Sequence, residues 1–348
     1  MKRSLILVPL ILLITGMLSL TFAQGCASPG DEEGVVVFGY FQPQYDYRFT
    51  DPRENTFRFN RMRLGVMGNI PYDFSYYALL EASPFVNNTG KIFLIDAFVT
   101  YSRSQYLKVS MGSFKKPFGQ ELSMPCSGLF TIERSKFVNE LTGPDNRDFG
   151  LMVLGGSDTT FFEYKVALMN GTGPGLLDDN NFKDLYGRFI FRPFKSLGIG
   201  LNALYGQDPS TQEGAEEDKR MRLGVDLKYG IGPVKLYSEY IYAEDKGSYT
   251  TGGGCDGTPI EVHQGSVARN GFYLMGTYNI NYKLQPVIKY EQYDNDPDTS
   301  GSNFQTITYG VNFYPNDWTR LQINYLYRAE DPIETRNDCL LVQVQVKF

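Results

Sequence analysis

From Val35 to the last residue, apolar and polar side chains alternate with a period of two, in runs of about ten residues. Met221, Leu223, Val225, Leu227 and Tyr229 interleave with Arg220, Arg222, Gly224, Asp226 and Lys228. Leu321, Ile323, Tyr325 and Tyr327 interleave with Arg320, Gln322, Asn324 and Arg328. Successive side chains of a strand point to opposite faces, so each run is a strand with one apolar and one polar side. Sixteen runs satisfy the pattern: 35–48, 57–70, 74–84, 92–101, 106–114, 147–156, 161–170, 183–192, 197–206, 219–229, 234–244, 269–280, 283–293, 304–314, 318–328 and 339–348.

The gaps between runs alternate in length. Pro71–Asp73, Ser102–Gln105, Ser157–Thr160, Pro193–Ser196, Gly230–Pro233, Asn281–Tyr282 and Pro315–Asp317 are tight. The others, 49–56, 85–91, 115–146, 171–182, 207–218, 245–268, 294–303 and 329–338, are long. Tight turns at one end and long loops at the other predict an all-β fold, a 16-stranded antiparallel transmembrane β-barrel with both chain ends on the periplasmic side. Aromatic residues gather near strand ends, among them Tyr72, Phe74, Tyr101, Tyr106, Phe161, Phe162, Tyr282, Tyr314 and Trp318, as interfacial girdles do. The ending on Phe348, with Val346, Val344 and Val342 on its face, resembles the assembly signal of outer-membrane barrels.

Residues 1–23 read as an export signal, with Lys2 and Arg3 before an apolar core and cleavage after Ala23. A short periplasmic segment, 24–34, and the barrel, 35–348, follow. Lipid attachment at Cys26 is an alternative. Beyond residue 23 no run reaches the ~20 apolar residues of a spanning helix. An exported chain permits disulfides, but Cys26, Cys126, Cys255 and Cys339 allow three pairings and their spacing selects none. The wide spacing, without a Cys-x-x-Cys, argues against zinc.

Composition enters through charge. The chain carries 33 basic and 39 acidic residues, a net charge of −6, with a pI near 5.1, which argues against a nucleic-acid partner. Sorted by face, the polar sides of the strands carry sixteen bases against nine acids, net +7 (16 − 9). The eight long loops carry 23 acids and eight bases, net −15 (8 − 23). An acidic exterior therefore surrounds a basic wall, and sixteen strands enclose a water-filled lumen. Passage of small solutes is the expected function, and lumen charge sets selectivity. Arg188, Arg220, Arg222 and Arg320 belong to that wall, and the guanidinium fork suits carboxylate and phosphate.

The third long loop, 115–146, is apolar for a loop: Phe118, Leu122, Met124, Leu129, Phe130, Ile132, Phe137, Val138 and Leu141. It is expected to fold into the lumen, carrying Lys115, Lys116, Arg134 and Lys136 to a constriction. A cap over the mouth or a contact between barrels would use the same residues.

Five stretches stand out: Phe57 to Gly68 with Arg61 and Arg63, Asp96-Ala97-Phe98, Gly112-Ser113-Phe114-Lys115-Lys116-Pro117-Phe118-Gly119-Gln120-Glu121, Thr131-Ile132-Glu133-Arg134-Ser135 and Arg147-Asp148-Phe149-Gly150. Together they resemble the phosphate-selective porins O and P. The resemblance implies a homotrimeric porin in the outer membrane, placed by the barrel-assembly machinery and passing small anions such as phosphate. It also implies pore residues Arg61, Arg63, Lys115, Lys116, Arg134 and Asp96, with Pro117, Phe118, Glu133 and Ser135 in the constriction loop. No catalytic residue, cofactor or metal is expected. Gly171 to Gly175 is followed by no helix, and the lone His263 sits in a long loop without a Gly-x-Ser-x-Gly elbow. Asp294, Asp296 and Asp298 begin like a Ca²⁺ loop, but Thr299 stands where glycine is needed. A weakly selective diffusion porin is the alternative function, and a receptor or adhesin barrel is a further one.

Overall fold

The computed structural model describes residues 34–142, 146–178, 180–208, 218–251, 261–297, 302–330 and 336–348. The signal segment, most of 24–34, Cys26, Cys255, Asp298 and the side chain of His263 lie outside the described residues. Sixteen strands form the wall: β1 (Val35–Arg48), β2 (Glu54–Ile70), β3 (Phe74–Glu81), β4 (Phe93–Ser104), β5 (Leu107–Lys115), β6 (Arg147–Gly155), β7 (Phe162–Met169) and β8 (Asp184–Phe194). They continue as β9 (Leu197–Asp208), β10 (Asp218–Ile231), β11 (Val234–Thr251), β12 (Glu261–Tyr278), β13 (Leu284–Asp294), β14 (Asn303–Phe313), β15 (Thr319–Glu330) and β16 (Cys339–Lys347). Each strand pairs antiparallel with its sequence neighbours, and β1 pairs with β16 to close the barrel. Closure leaves no sheet edge with unpaired backbone groups, which a lipid environment requires. At the seam Phe348 exchanges two backbone hydrogen bonds with Gly39 and sets its ring 5.4 Å from that of Phe41.

The period-two pattern sorts by burial as the sequence predicts. On β10, Leu223, Val225 and Leu227 are exposed while Arg222 and Asp226 are buried. On β16, Val344, Val346 and Phe348 are exposed while Gln343 and Gln345 are buried. The inside of this protein is thus its polar side, and the apolar residues look outward. Tyr72, Phe74, Tyr106, Phe161, Phe162, Tyr282 and Trp318 stand exposed beside the tight turns.

Two features differ from the sequence reading. Strands β10, β11 and β12 run to 14, 18 and 18 residues, so they carry Asp218 and Asp245 from presumed loops onto the wall, where both are buried. The register of β1 on β2 also shifts between Gln42 and Pro43. Proline has no N–H to give a ladder bond, and the bulge there turns Arg58, as well as Arg61 and Arg63, toward the lumen. Arg58 accordingly pairs with Asp46 at 2.6 Å.

Candidate functional site

The third loop leaves β5 at Lys115 and rejoins the wall at Arg147, and its conformation is dictated by the wall's polar side chains. Pro117 is buried and Phe118 wholly so. Gly119 adopts φ +64°, and a Cβ there would meet Glu239 Oε1 at 2.0 Å, so only glycine fits. Its N–H donates to Asn202 Oδ1 at 3.0 Å. Glu239 Oε2 then accepts the N–H groups of Gln120 (3.1 Å) and Glu121 (2.8 Å), at the start of the turn α1 (Gln120–Ser123). Glu121 reaches back: Oε1 accepts Lys289 Nζ at 2.7 Å, and Oε2 accepts the N–H of Ser135 at 2.8 Å.

The loop's middle is held by neutral amides and one arginine. The Leu129 carbonyl accepts Arg320 Nη1 at 2.8 Å, and the Phe130 carbonyl accepts Asn312 Nδ2 at 3.0 Å. The N–H of Ile132 donates to Asn324 Oδ1 at 2.7 Å. In the helical turn α2 (Lys136–Leu141), Phe137 covers Gly271 and the Leu141 carbonyl accepts Arg222 Nε at 2.7 Å. Phe118, Leu122, Phe137, Val138 and Leu141 form one apolar cluster with lumen-facing Met152, Met169, Tyr186, Ile241 and Tyr273. That cluster, together with satisfied backbone groups, makes docking inside the barrel favourable.

Most wall cations meet carboxylates. Arg188 binds Asp226 at 2.5 and 3.1 Å, Arg220 binds Asp184 at 3.1 Å, and Arg222 binds Asp245 at 2.7 Å. Asp245 also pairs with Arg269. Arg192 and Lys165 share Glu163, at 2.6 and 3.1 Å. Asp96 is held by Arg147 at 3.0 Å, an arginine that parity assigned to neither face. Glu133 stands 4.0 Å from Arg58 and 3.9 Å from Arg328. The strand charge excess of +7 is therefore distributed unevenly: Asp218, Asp245 and Glu121 add acids on the β10–β13 side.

The opposite side differs. Arg61, Arg63, Lys115 and Arg134 converge around the thiol of Cys126, each showing under a tenth of its surface. Arg63 Nη1 and Arg134 Nη2 both lie 3.4 Å from Cys126 Sγ. Arg134 spans the loop, donating to the Glu121 carbonyl (3.1 Å) and the Met124 carbonyl (3.0 Å), and Lys115 Nζ donates to Met124 at 2.9 Å. Arg61 donates to Gln42 Oε1 at 3.1 Å, and Arg63 pairs with Glu81 at 2.6 Å. Burial pushes the Cys126 thiol up, but Arg134, Arg61, Arg63 and Lys115 together hold it well below the usual thiol range.

Of the residues chosen from the sequence, this group gathers Arg61, Arg63, Lys115 and Arg134. Lys116 sits instead toward Asp148, and Arg188, Arg220, Arg222 and Arg320 brace the wall and loop. Ser135, wholly buried, gives its N–H to Glu121. Glu239, counted among the wall acids, Arg147 and Cys126, both in stretches already named, and Asp245, placed in a loop, were not chosen as site residues from the sequence. Gly119, whose neighbour Glu239 becomes, was the signal closest to hand.

A model of the Gram-negative porin family matches residues 17–331. The chain belongs to that family. Solved porins share its fold. An anion-selective porin from Comamonas acidovorans is 16% identical, with 91% of this chain and 99% of that one covered and a TM-score of 0.68. The outer-membrane channel DcaP of Acinetobacter baumannii is 13% identical, with 90% and 97% covered and a TM-score of 0.67. Salmonella typhi OmpF, solved with daunomycin, is 13% identical, with 92% and 99% covered and a TM-score of 0.66. No curated protein matches the sequence. This porin is an outer-membrane channel for small solutes, and its family and fold are those of a channel rather than an enzyme.

Proposed function

We propose that the channel selects anions, and that Arg61, Arg63, Lys115 and Arg134 form the selecting group. The observation that carries this reading is their convergence on one point between the loop and β1–β2. In this group Arg63 also pairs with Glu81. A unit charge about 7 Å from one such cation, at an effective dielectric near 20, gains or loses roughly 2 kcal/mol. That favours anions and excludes cations of similar size. The acidic outer loops act against it only near the mouth, because physiological salt screens beyond ~8 Å.

Phosphate is the proposed preferred inorganic anion, since paired guanidinium forks match its oxygens and the loop and strand motifs resemble those of porins O and P. Lys116 and Asp96 flank the group in this reading, with Pro117, Phe118, Glu133 and Ser135 shaping the loop. Inorganic phosphate added at millimolar concentration should depress the chloride current through single channels. Chloride current indifferent to phosphate would remove phosphate and leave a general anion pore. The paired wall, Arg188–Asp226 and Arg220–Asp184 above all, favours a second reading, a weakly selective diffusion porin.

Cys126 tunes the group. With its thiol held low, the thiolate subtracts one charge from the group, so Cys126→Ala should raise chloride preference over wild type at pH 8. At a pH low enough to protonate the thiol the two proteins should converge. Equal selectivity at both pH values would show a neutral thiol.

The proposal extends to assembly: an export signal over 1–23, the periplasmic segment 24–34, Phe348 as the signal read by the barrel-assembly machinery, and a homotrimer. Vibrio cholerae OmpT, which shares the fold at 13% identity, was solved in a trimer form.

A further inference from the structure

On the periplasmic side of the basic group the inner wall carries ring faces. Phe38, Tyr77 and Phe98 occupy lumen-facing positions of β1, β3 and β4. The rings of Phe38 and Tyr77 lie 5.1 Å apart, and those of Tyr77 and Phe98 stack at 5.2 Å and 19°. Gly65 of β2 makes the row continuous: a Cβ there would meet Phe38 Cζ at 2.5 Å, so the Phe38 ring lies across the β2 backbone. One alternation toward the outside, Tyr40 stands beneath the Arg63 guanidinium, 5.8 Å from ring centre to Cζ. Phe98 is 7% exposed, whereas Phe38 and Tyr77 are only half-buried, so ring surface remains open at their end of the row.

This row is a poor neighbour for a compact anion. A ring face carries the negative part of the aromatic quadrupole, so chloride or phosphate gains nothing from it. An anion attached to its own ring gains from both parts, stacking on one and pairing with the other. Phe38 pairs with Gly65, two residues and so about 7 Å along β2 from Arg63, which places its ring within one small molecule's length of that guanidinium.

We infer that the constriction recognises aryl carboxylates, the carboxylate on Arg63 and the ring on Phe38 and Tyr77. The inference rests on the anion-selective reading and names the organic class that it favours. Chloride current through single channels is measured against added benzoate, cyclohexanecarboxylate and acetate, for wild type, Tyr77→Leu and Phe38→Leu/Tyr77→Leu. Benzoate should block at about fivefold lower concentration than cyclohexanecarboxylate, the increment expected of one aromatic pair. Both leucine variants should lose that difference while keeping wild-type block by acetate, and Tyr77→Leu alone serves if the double variant fails to fold. Equal block by benzoate and cyclohexanecarboxylate, or an undiminished benzoate advantage in the variants, overturns the inference. A channel that prefers potassium to chloride overturns the anion reading itself, which separates the two failures.

Discussion

Replacing Lys289 by methionine should loosen the third loop and widen the channel. Lys289 Nζ lies 2.7 Å from Glu121 and 3.4 Å from Glu291, over the ring of Tyr273, with 2% of its side chain exposed. Removing it leaves the buried Glu121 carboxylate without its cation, at a cost of about 3–5 kcal/mol. The apolar residues of the loop oppose release, each fully buried one contributing about 1.5–3 kcal/mol. Phe137, Val138 and Leu141 together outweigh the lost pair, so α2 stays docked while α1 comes away from Glu239. Single-channel conductance should rise above wild type, with frequent excursions between levels. Lys289→Met with Glu121→Gln removes both charges, and its conductance should fall back toward wild type. Wild-type conductance in the single variant would mean that apolar packing alone holds the loop.

Replacing Arg61 and Arg134 together by glutamine should collapse the anion preference. These two changes leave the Arg63–Glu81 pair intact. With roughly 2 kcal/mol of potential lost per cation, the chloride-to-potassium permeability ratio should fall at least about tenfold. Lys91→Gln, an exposed change in an outer loop, should leave the ratio unaltered. An undiminished ratio in the double variant would move selection to the paired wall.

The sixteen strands were legible because a lipid-facing barrel imposes one apolar residue in two, and the pattern of Leu223, Val225 and Leu227 admits no other period. Bounds were less legible where pairing outruns the membrane. Asp245 reads as loop because no apolar alternation surrounds it, yet the β11–β12 ladder continues past it to Thr251 and Glu261. The four-cation group was legible by residue type and position, whereas its contrast with the rest of the wall was not. That contrast depends on which carboxylate meets which arginine across strands. Arg188 and Asp226 are 38 residues apart, and register alone joins them. Glu239 was legible as a lumen acid but its role was not, for the same reason: its partners are backbone N–H groups of a distant loop, which leave no mark in composition.

The central claim is that charge at the constriction, not the net charge of −6, decides what passes. Reversal potential in a planar bilayer under a tenfold KCl gradient tests it most directly. The account predicts a potential displaced toward the chloride equilibrium value. A potential displaced toward that of potassium would contradict it.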